Sequence, residues 1–151
     1  MNATVFDSPV GRLFIAEKDG RICELSYYNG EAVETRESRL LIEAQMQLKE
    51  YFGGVRREFD LPLTAEGTDF ALAVRRELLK IQYGTTRTYS EIAAAVGKPG
   101  AARAVGMACH NNPIAIVIPC HRVVGVNANL VGYAGGIEKK EHLLRLEHAI
   151  F

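Results

Sequence analysis

The 151-residue chain has no tryptophan, only 3 cysteines and 5 prolines, and its 18 basic and 18 acidic side chains leave no net charge. No apolar run approaches the roughly 20 residues needed to cross a bilayer. The opening Met1-Asn2-Ala3-Thr4 has neither a basic cluster nor a long hydrophobic segment. A membrane anchor and a secretory leader are therefore not expected, and a soluble, intracellular (cytoplasmic) protein is. The cysteines, Cys23, Cys109 and Cys120, are odd in number and form no Cys-x-x-Cys, which argues against a disulfide framework. Cys109-His110 and Cys120-His121 offer four zinc-type ligands, but adjacent ligands with nine residues between the pairs fit no usual finger, so no metal is expected.

With 48% hydrophobic and 24% charged residues, the composition is that of an ordinary globular chain of one or two small domains. The neutral total hides a split. Residues 1–67 carry 8 Lys and Arg against 12 Asp and Glu, whereas residues 68–151 carry 10 against 6 together with all 4 histidines. A polyanion would meet the second half.

In the acidic half, residues 12–28 read as a hairpin turning at Lys18-Asp19-Gly20, with Cys23, Leu25 and Tyr27 alternating on one face. That alternation makes Cys23 a core residue. Leu41, Ala44, Leu48 and Tyr51/Phe52 recur at helical spacing and predict a helix from Ser38 to Phe52, stopped by Gly53-Gly54. A short apolar-alternating stretch, Phe59 to Leu63, follows. None of these residues carries evident chemistry.

The pattern changes around Pro62–Gly67, which places a linker at 63–68 between domains 1–62 and 69–151. Phe70, Val74, Leu78 and Ile81 mark a helix capped by Thr68 or Asp69. Thr88-Tyr89-Ser90-Glu91 is a capping box that starts an alanine-rich helix. Lys98-Pro99-Gly100 breaks it, and Ala101 to His110 forms a second helix ended by Asn111-Asn112-Pro113. This is helix-turn-helix spacing. The second helix differs from a major-groove reader, since it offers Ala101, Ala102, Ala104, Gly106 and Ala108 around a single cation, Arg103. Such a surface suits close approach to a narrow groove, and it equally suits plain helix packing.

Ile114-Ala115-Ile116-Val117-Ile118 reads as a buried strand that delivers Pro119-Cys120-His121-Arg122-Val123-Val124. A thiol beside an imidazole and a guanidinium can serve as a nucleophile, although neighbours on an extended segment point to opposite sides. The Ile137–Phe151 stretch reads as a final helix. Glu147 sits there among Leu143, Leu144, Ile150 and Phe151, either as a buried partner that orients a histidine or as a solvated acid at a frayed end. Cysteine, histidine and glutamate together fit a cysteine hydrolase, a DNA-modifying protein, or a DNA-binding module with an inert thiol. No Gly-rich elbow precedes Cys120, which disfavours the hydrolase.

Ala101-Ala102-Arg103-Ala104-Val105-Gly106, then Asn112-Pro113, then Ile118-Pro119-Cys120-His121-Arg122-Val123-Val124, then Gly132-Tyr133-Ala134-Gly135-Gly136 closely resemble the O6-alkylguanine-DNA alkyltransferases, over roughly residues 68–148. The resemblance implies an α+β chain: a small N-terminal α/β domain of ribonuclease H-like kind, then a mostly helical winged helix-turn-helix domain. It implies binding of double-stranded DNA containing O6-alkylguanine through the minor groove, flipping of the damaged base, and irreversible single-turnover transfer of its alkyl group to Cys120. It calls for no cofactor and implies no protein partner, so a monomer is expected. By the same resemblance His121 takes the thiol proton through a water, Glu147 orients His121, Asn112 braces the turn before the active-site strand, and Tyr89 helps turn the nucleotide out. Arg103 fills the vacated place, with Ala102 and Ala104 beside it on the DNA-facing helix. Tyr133 walls the guanine pocket, which Pro119 adjoins, and Val123 and Ala134 hold the base through main-chain groups. Arg122, His142 and His148 are read as phosphate-facing or solvated. Gln82, Arg75 and His142 depart from the family pattern at packing or surface positions.

Overall fold

The computed structural model describes residues 1–28, 30 and 34–150. It divides into two compact units, Met1–Ala65 and the remainder from Glu66. The first begins with a three-stranded antiparallel meander, β1 (Asn2–Ser8), β2 (Gly11–Lys18) and β3 (Arg21–Tyr27), in that order across the sheet. The β2–β3 link reverses at Asp19 (φ 52°) and Gly20 (φ 75°), the two left-handed positions that a two-residue hairpin turn requires. Sequence reading finds this turn but overlooks β1.

Cys23 is not in the core. The β2–β3 register pairs Ala16 with Glu24 but Glu17 with Ile22, so Cys23 is the extra residue of a β-bulge. The bulge shifts the alternation. Ile22 and Leu25 are both buried, and Cys23 is left partly exposed.

Helix α1 (Arg39–Phe52) starts where the Ser38 side chain accepts from the Leu41 N–H, and it buries Leu41, Ala44, Leu48 and Tyr51. The stretch from Phe59 to Leu63 forms no strand. It makes one bridge, in which Ile22 N–H donates to the Pro62 carbonyl (2.8 Å) and Thr64 N–H to the Ile22 carbonyl (2.9 Å). Pro62 has no N–H with which to extend a ladder.

The second unit holds α2 (Asp69–Leu78), β4 (Arg87–Thr88), α3 (Tyr89–Ala95), α4 (Ala102–His110), β5 (Val123–Val124) and α5 (Ile137–Leu146). Thr68 caps α2 through the Ala71 N–H. The capping box of α3 is present in both directions: Glu91 N–H donates to Thr88 Oγ1 (3.1 Å), and Thr88 N–H donates to Glu91 Oε1 (2.9 Å). Removing this cap by Thr88→Ala is expected to lower the unfolding free energy by about 1 kcal/mol, measured by denaturant titration. Helices α3 and α4 pack together and form the helix-turn-helix. The parallel pair β4–β5 sets Arg87 opposite Val123 and Thr88 opposite Val124, which ties the start of α3 to the segment leaving Cys120. The final helix stops at Leu146, with Glu147 as its C-cap, so it is shorter than its sequence pattern predicts; Phe151 lies outside the described residues. Among the described residues no helix is long and apolar enough to cross a membrane.

Candidate functional site

Residues 114–118 are buried, as the sequence predicts, but they are not a strand. The chain there folds into successive tight turns, with Ile118 N–H donating to the Ile114 carbonyl (3.0 Å) and Val117 N–H to the Ala115 carbonyl (2.8 Å). Ile116 takes a left-handed φ of 71°. A β-branched residue enters that region only when its surroundings force it. Asn112 supplies part of that force. Its Oδ1 accepts from the Ile114 N–H (3.1 Å), and its Nδ2 donates to the Ile118 carbonyl (2.8 Å), so one side chain clasps both ends of the turn. The same Nδ2 lies 3.1 Å from Cys120 Sγ as a donor.

Cys120, His121 and Arg122 form a single 310 turn, not an extended segment. Cys120 is 4% exposed, and burial pushes its thiol up; the Asn112 amide, a nearby Lys140 ammonium and a backbone bond work in the other direction. His121 is fully buried. Its Nε2 is 2.8 Å from Glu147 Oε2. Burial holds the imidazole below its usual range, against the pull of Glu147. Burial also opposes ionisation of Glu147, but its bonds to His121 and Arg122 prevail and hold the carboxyl down at about 2. With Glu147 an anion, the bond to Nε2 assigns the proton of the neutral imidazole to that nitrogen. Nδ1 then carries the free lone pair, and among the described residues nothing donates to it. A neutral imidazole in this tautomer is a base waiting for a proton.

Arg122 requires a correction. It is not phosphate-facing or solvated but buried, with Nε 2.8 Å from Glu147 Oε1 and an Nη 3.0 Å from Oε2, while its other Nη donates to the Ile81 carbonyl (2.7 Å). The fork geometry suits a carboxylate, and a guanidinium cannot shed its charge, so Glu147 is its natural counter-ion. Glu147 itself is 1% exposed, which excludes the frayed-end reading.

A cleft of about 590 Å³ opens over Cys120, lined also by Tyr89, Ala102, Arg103, Gly106, Met107, Cys109, His110, Val131, Gly132 and Tyr133. Tyr89 Oη donates to the Val131 carbonyl (3.0 Å), and burial together with the charge of two nearby thiols pushes its phenol up to about 12. Lys140 is the functional residue that the sequence reading missed. It is fully buried, its Nζ donates to Tyr89 Oη (3.3 Å) and to the carbonyls of Val131 (3.1 Å) and Gly132 (3.3 Å), and it stands 5.5 Å from the Tyr89 ring centre. Burial lowers its pKa, while Cys120 and Cys109 raise it. The signal was available: Lys140 precedes Leu143, Leu144 and Glu147 by three, four and seven positions, the buried stripe of α5.

The structure thus brings Cys120, His121, Glu147 and Asn112 together, and sets Tyr89, Arg103, Ala102 and Tyr133 around the cleft. Arg103 is exposed. Ala104 is exposed on α4 but does not line the cleft, and neither do Pro119 and Val123, which are buried, nor Ala134, which is exposed. Val123 is held in the β4–β5 pair. Arg75 is buried, with an Nη donating to the Glu66 carbonyl (2.8 Å). His142 and His148 are exposed. Among the described residues no three His, Cys, Asp or Glu side chains converge on a metal position.

Comparison with known proteins points to one family. Residues 69–149 match the family described as 6-O-methylguanine DNA methyltransferase, DNA binding domain, and residues 1–65 match its ribonuclease-like domain. A methylated-DNA–protein-cysteine methyltransferase of Methanosarcina barkeri is 45% identical over 149 residues, covering 95% of this chain and 94% of the relative. The constitutive methylated-DNA–protein-cysteine methyltransferase of Bacillus subtilis is 45% identical over 154 residues, covering 95% and 93%. Among solved structures, Mycobacterium tuberculosis OGT in complex with DNA superposes with a TM-score of 0.91 at 44% identity, covering 98% of this chain and 93% of that one.

Proposed function

The chain belongs to the 6-O-methylguanine DNA methyltransferases, a family that repairs DNA by moving an alkyl group from the damaged strand to a cysteine of the protein, and from that premise we propose that Cys120 is the acceptor. DNA is its partner. Residues 69–151 act as the DNA-binding and active-site domain, residues 1–62 accompany it, and 63–68 link the two.

The small-residue helix α4 enters the minor groove of a duplex, and the damaged guanine turns out of the stack into the cleft over Cys120. An atom inside a duplex is otherwise out of reach. Arg103 fills the place that the base leaves. Tyr89, kept a neutral phenol, meets the backbone and base at the cleft wall, and Tyr133 closes the other side.

The thiol proton passes through a water to His121 Nδ1. The imidazolium that forms is stabilised by Glu147, as in the general logic of a base oriented by a carboxylate. Asn112 Nδ2 and the Lys140 ammonium favour the thiolate while it exists. Cys120 Sγ then attacks the alkyl carbon on the side opposite O6. The S–C bond forms as the C–O6 bond breaks, the electron pair left on the guanine takes a proton from water, and the His121 imidazolium returns its proton to water. The thioether has no good leaving group and no second nucleophile to release it, so each molecule acts once. The chemistry uses these side chains alone, the protein works as a monomer, and its place is the cytoplasm with access to chromosomal DNA.

The observation that carries this reading is a thiol open to a cleft, followed in sequence by a buried neutral imidazole whose far nitrogen is engaged by a carboxylate. Its test is the intact mass of the protein after incubation with a duplex containing O6-methylguanine. One methyl group per molecule, mapped to Cys120 and never exceeded at higher DNA, is the expected result. An unchanged mass overturns it.

A further inference from the structure

We propose that Cys109 is a second acceptor thiol of the same cleft, which captures the far carbon of a two-carbon bifunctional alkyl group once Cys120 has taken the near one. The proposal rests on Cys120 being the primary acceptor.

Two thiols line one cleft. Cys109 lies on the face of α4 that also carries Ala102 and Gly106, seven and three positions before it in helical register, and all three contribute to the cleft wall. It is 8% exposed, comparable to Cys120. Gly106 lies beside Tyr89, where a Cβ would stand 3.9 Å from the ring, an ordinary van der Waals contact. The charges of both sulfurs act on the buried Lys140 ammonium and on the Tyr89 phenol, whose hydroxyl lies 3.3 Å from Lys140 Nζ. Repair of a methyl group uses only one of the two thiols.

Burial pushes the Cys109 thiol up to about 12, so it is inert toward electrophiles in solution. An electrophile already attached to Cys120 is different. Holding two reactants in one site corresponds to effective concentrations that can reach about 10⁵ M or more, which offsets a poor resting nucleophile. A 2-chloroethyl group supplies that electrophile. Transfer from O6 leaves Cys120–S–CH2–CH2–Cl. The Cys120 sulfur displaces chloride to close a three-membered sulfonium ring. The Cys109 sulfur then opens the ring at carbon, its proton goes to water, and the products are a Cys120–S–CH2–CH2–S–Cys109 bridge, chloride and a proton. The bridge would keep the spent protein's reactive carbon away from DNA.

The test has two arms run on the full chain. In the first, a duplex bearing O6-methylguanine must place a methyl on Cys120; failure there overturns the underlying reading and this proposal with it. In the second, a duplex bearing freshly formed O6-(2-chloroethyl)guanine is added, the protein is denatured, and its free thiols and tryptic peptides are analysed. The expected result is a peptide pair joined through Cys109 and Cys120, with Cys23 the one thiol left to titrate. A hydroxyethyl or chloroethyl group on Cys120 with Cys109 still free, or a protein–DNA crosslink in place of the bridge, overturns the proposal while the first arm stands. In Cys109→Ser the joined peptide must disappear; its persistence is equally fatal.

Discussion

Cys120→Ala is expected to lose alkyl uptake completely while retaining affinity for duplex DNA. The substitution removes the sulfur and leaves untouched α4 with Arg103, the element that faces the groove. No neighbour can substitute at a methylated base, since Cys109 is deprived of its charge by burial and the nearest phenol, Tyr89, is held neutral by the same cause. The check is a transfer assay with labelled O6-methylguanine duplex alongside a gel-shift titration. Residual uptake by the variant would move the acceptor role to another residue.

Glu147→Gln is expected to be the most damaging single change to the fold that keeps side-chain size. The carboxylate serves His121 and a bidentate Arg122 at once, all inside the protein. A neutral amide leaves the Arg122 guanidinium buried without an anion, and losing one partner of a buried ion pair costs about 3–5 kcal/mol. It also frees the imidazole to take the other tautomer, which forfeits much of the roughly 100-fold or greater advantage of a positioned base. Denaturant unfolding reads the first effect, and the rate of methyl transfer in single-turnover conditions reads the second. The pH dependence supplies a separate signature. Glu147 titrates near 2 in the folded protein against an ordinary 4.5, so between those values the unfolded chain binds the proton and the native chain does not. Stability from this group is therefore complete above about 4.5 and lost as the pH falls toward 2. His121, also depressed, adds a loss of the same sign that begins below its ordinary 6.5. The Gln variant should lack the lower limb of that acid profile; an unaltered profile would mean that Glu147 is not the titrating partner.

The elements that sequence alone reveals are those decided within a few residues. The Asp19-Gly20 turn, the Ser38 and Thr68 caps and the Thr88–Glu91 box each announce themselves because the backbone donors they satisfy are local. The α1 stripe is legible for a similar reason, since one helical period reports one buried face. Cys23 is misread because its fate depends on register with β2, a property of two strands and not of one. Residues 114–118 are misread because an apolar β-branched run is equally at home in a strand and in a buried turn, and only the Asn112 clasp distinguishes the two. Cys120, His121 and Glu147 are legible as a set because an acid among leucines demands a partner. Arg122 is not, because a cation beside a DNA site suggests phosphate, whereas here it turns inward; Lys140 shows only in its spacing from Leu143, Leu144 and Glu147, since no motif names it.

The left-handed Ile116 has a consequence for when the nucleophile exists at all. Strain of this kind costs about 1–3 kcal/mol and persists only while the surrounding core encloses it. The loop that shelters the sulfur therefore cannot form ahead of the packing around it. A nascent or partly unfolded chain carries an ordinary thiol, open to any stray oxidant or small reagent. Completion of folding turns that thiol into a guarded one, reached through the cleft and otherwise shielded from the bulk, which conserves a reagent the molecule can spend only once.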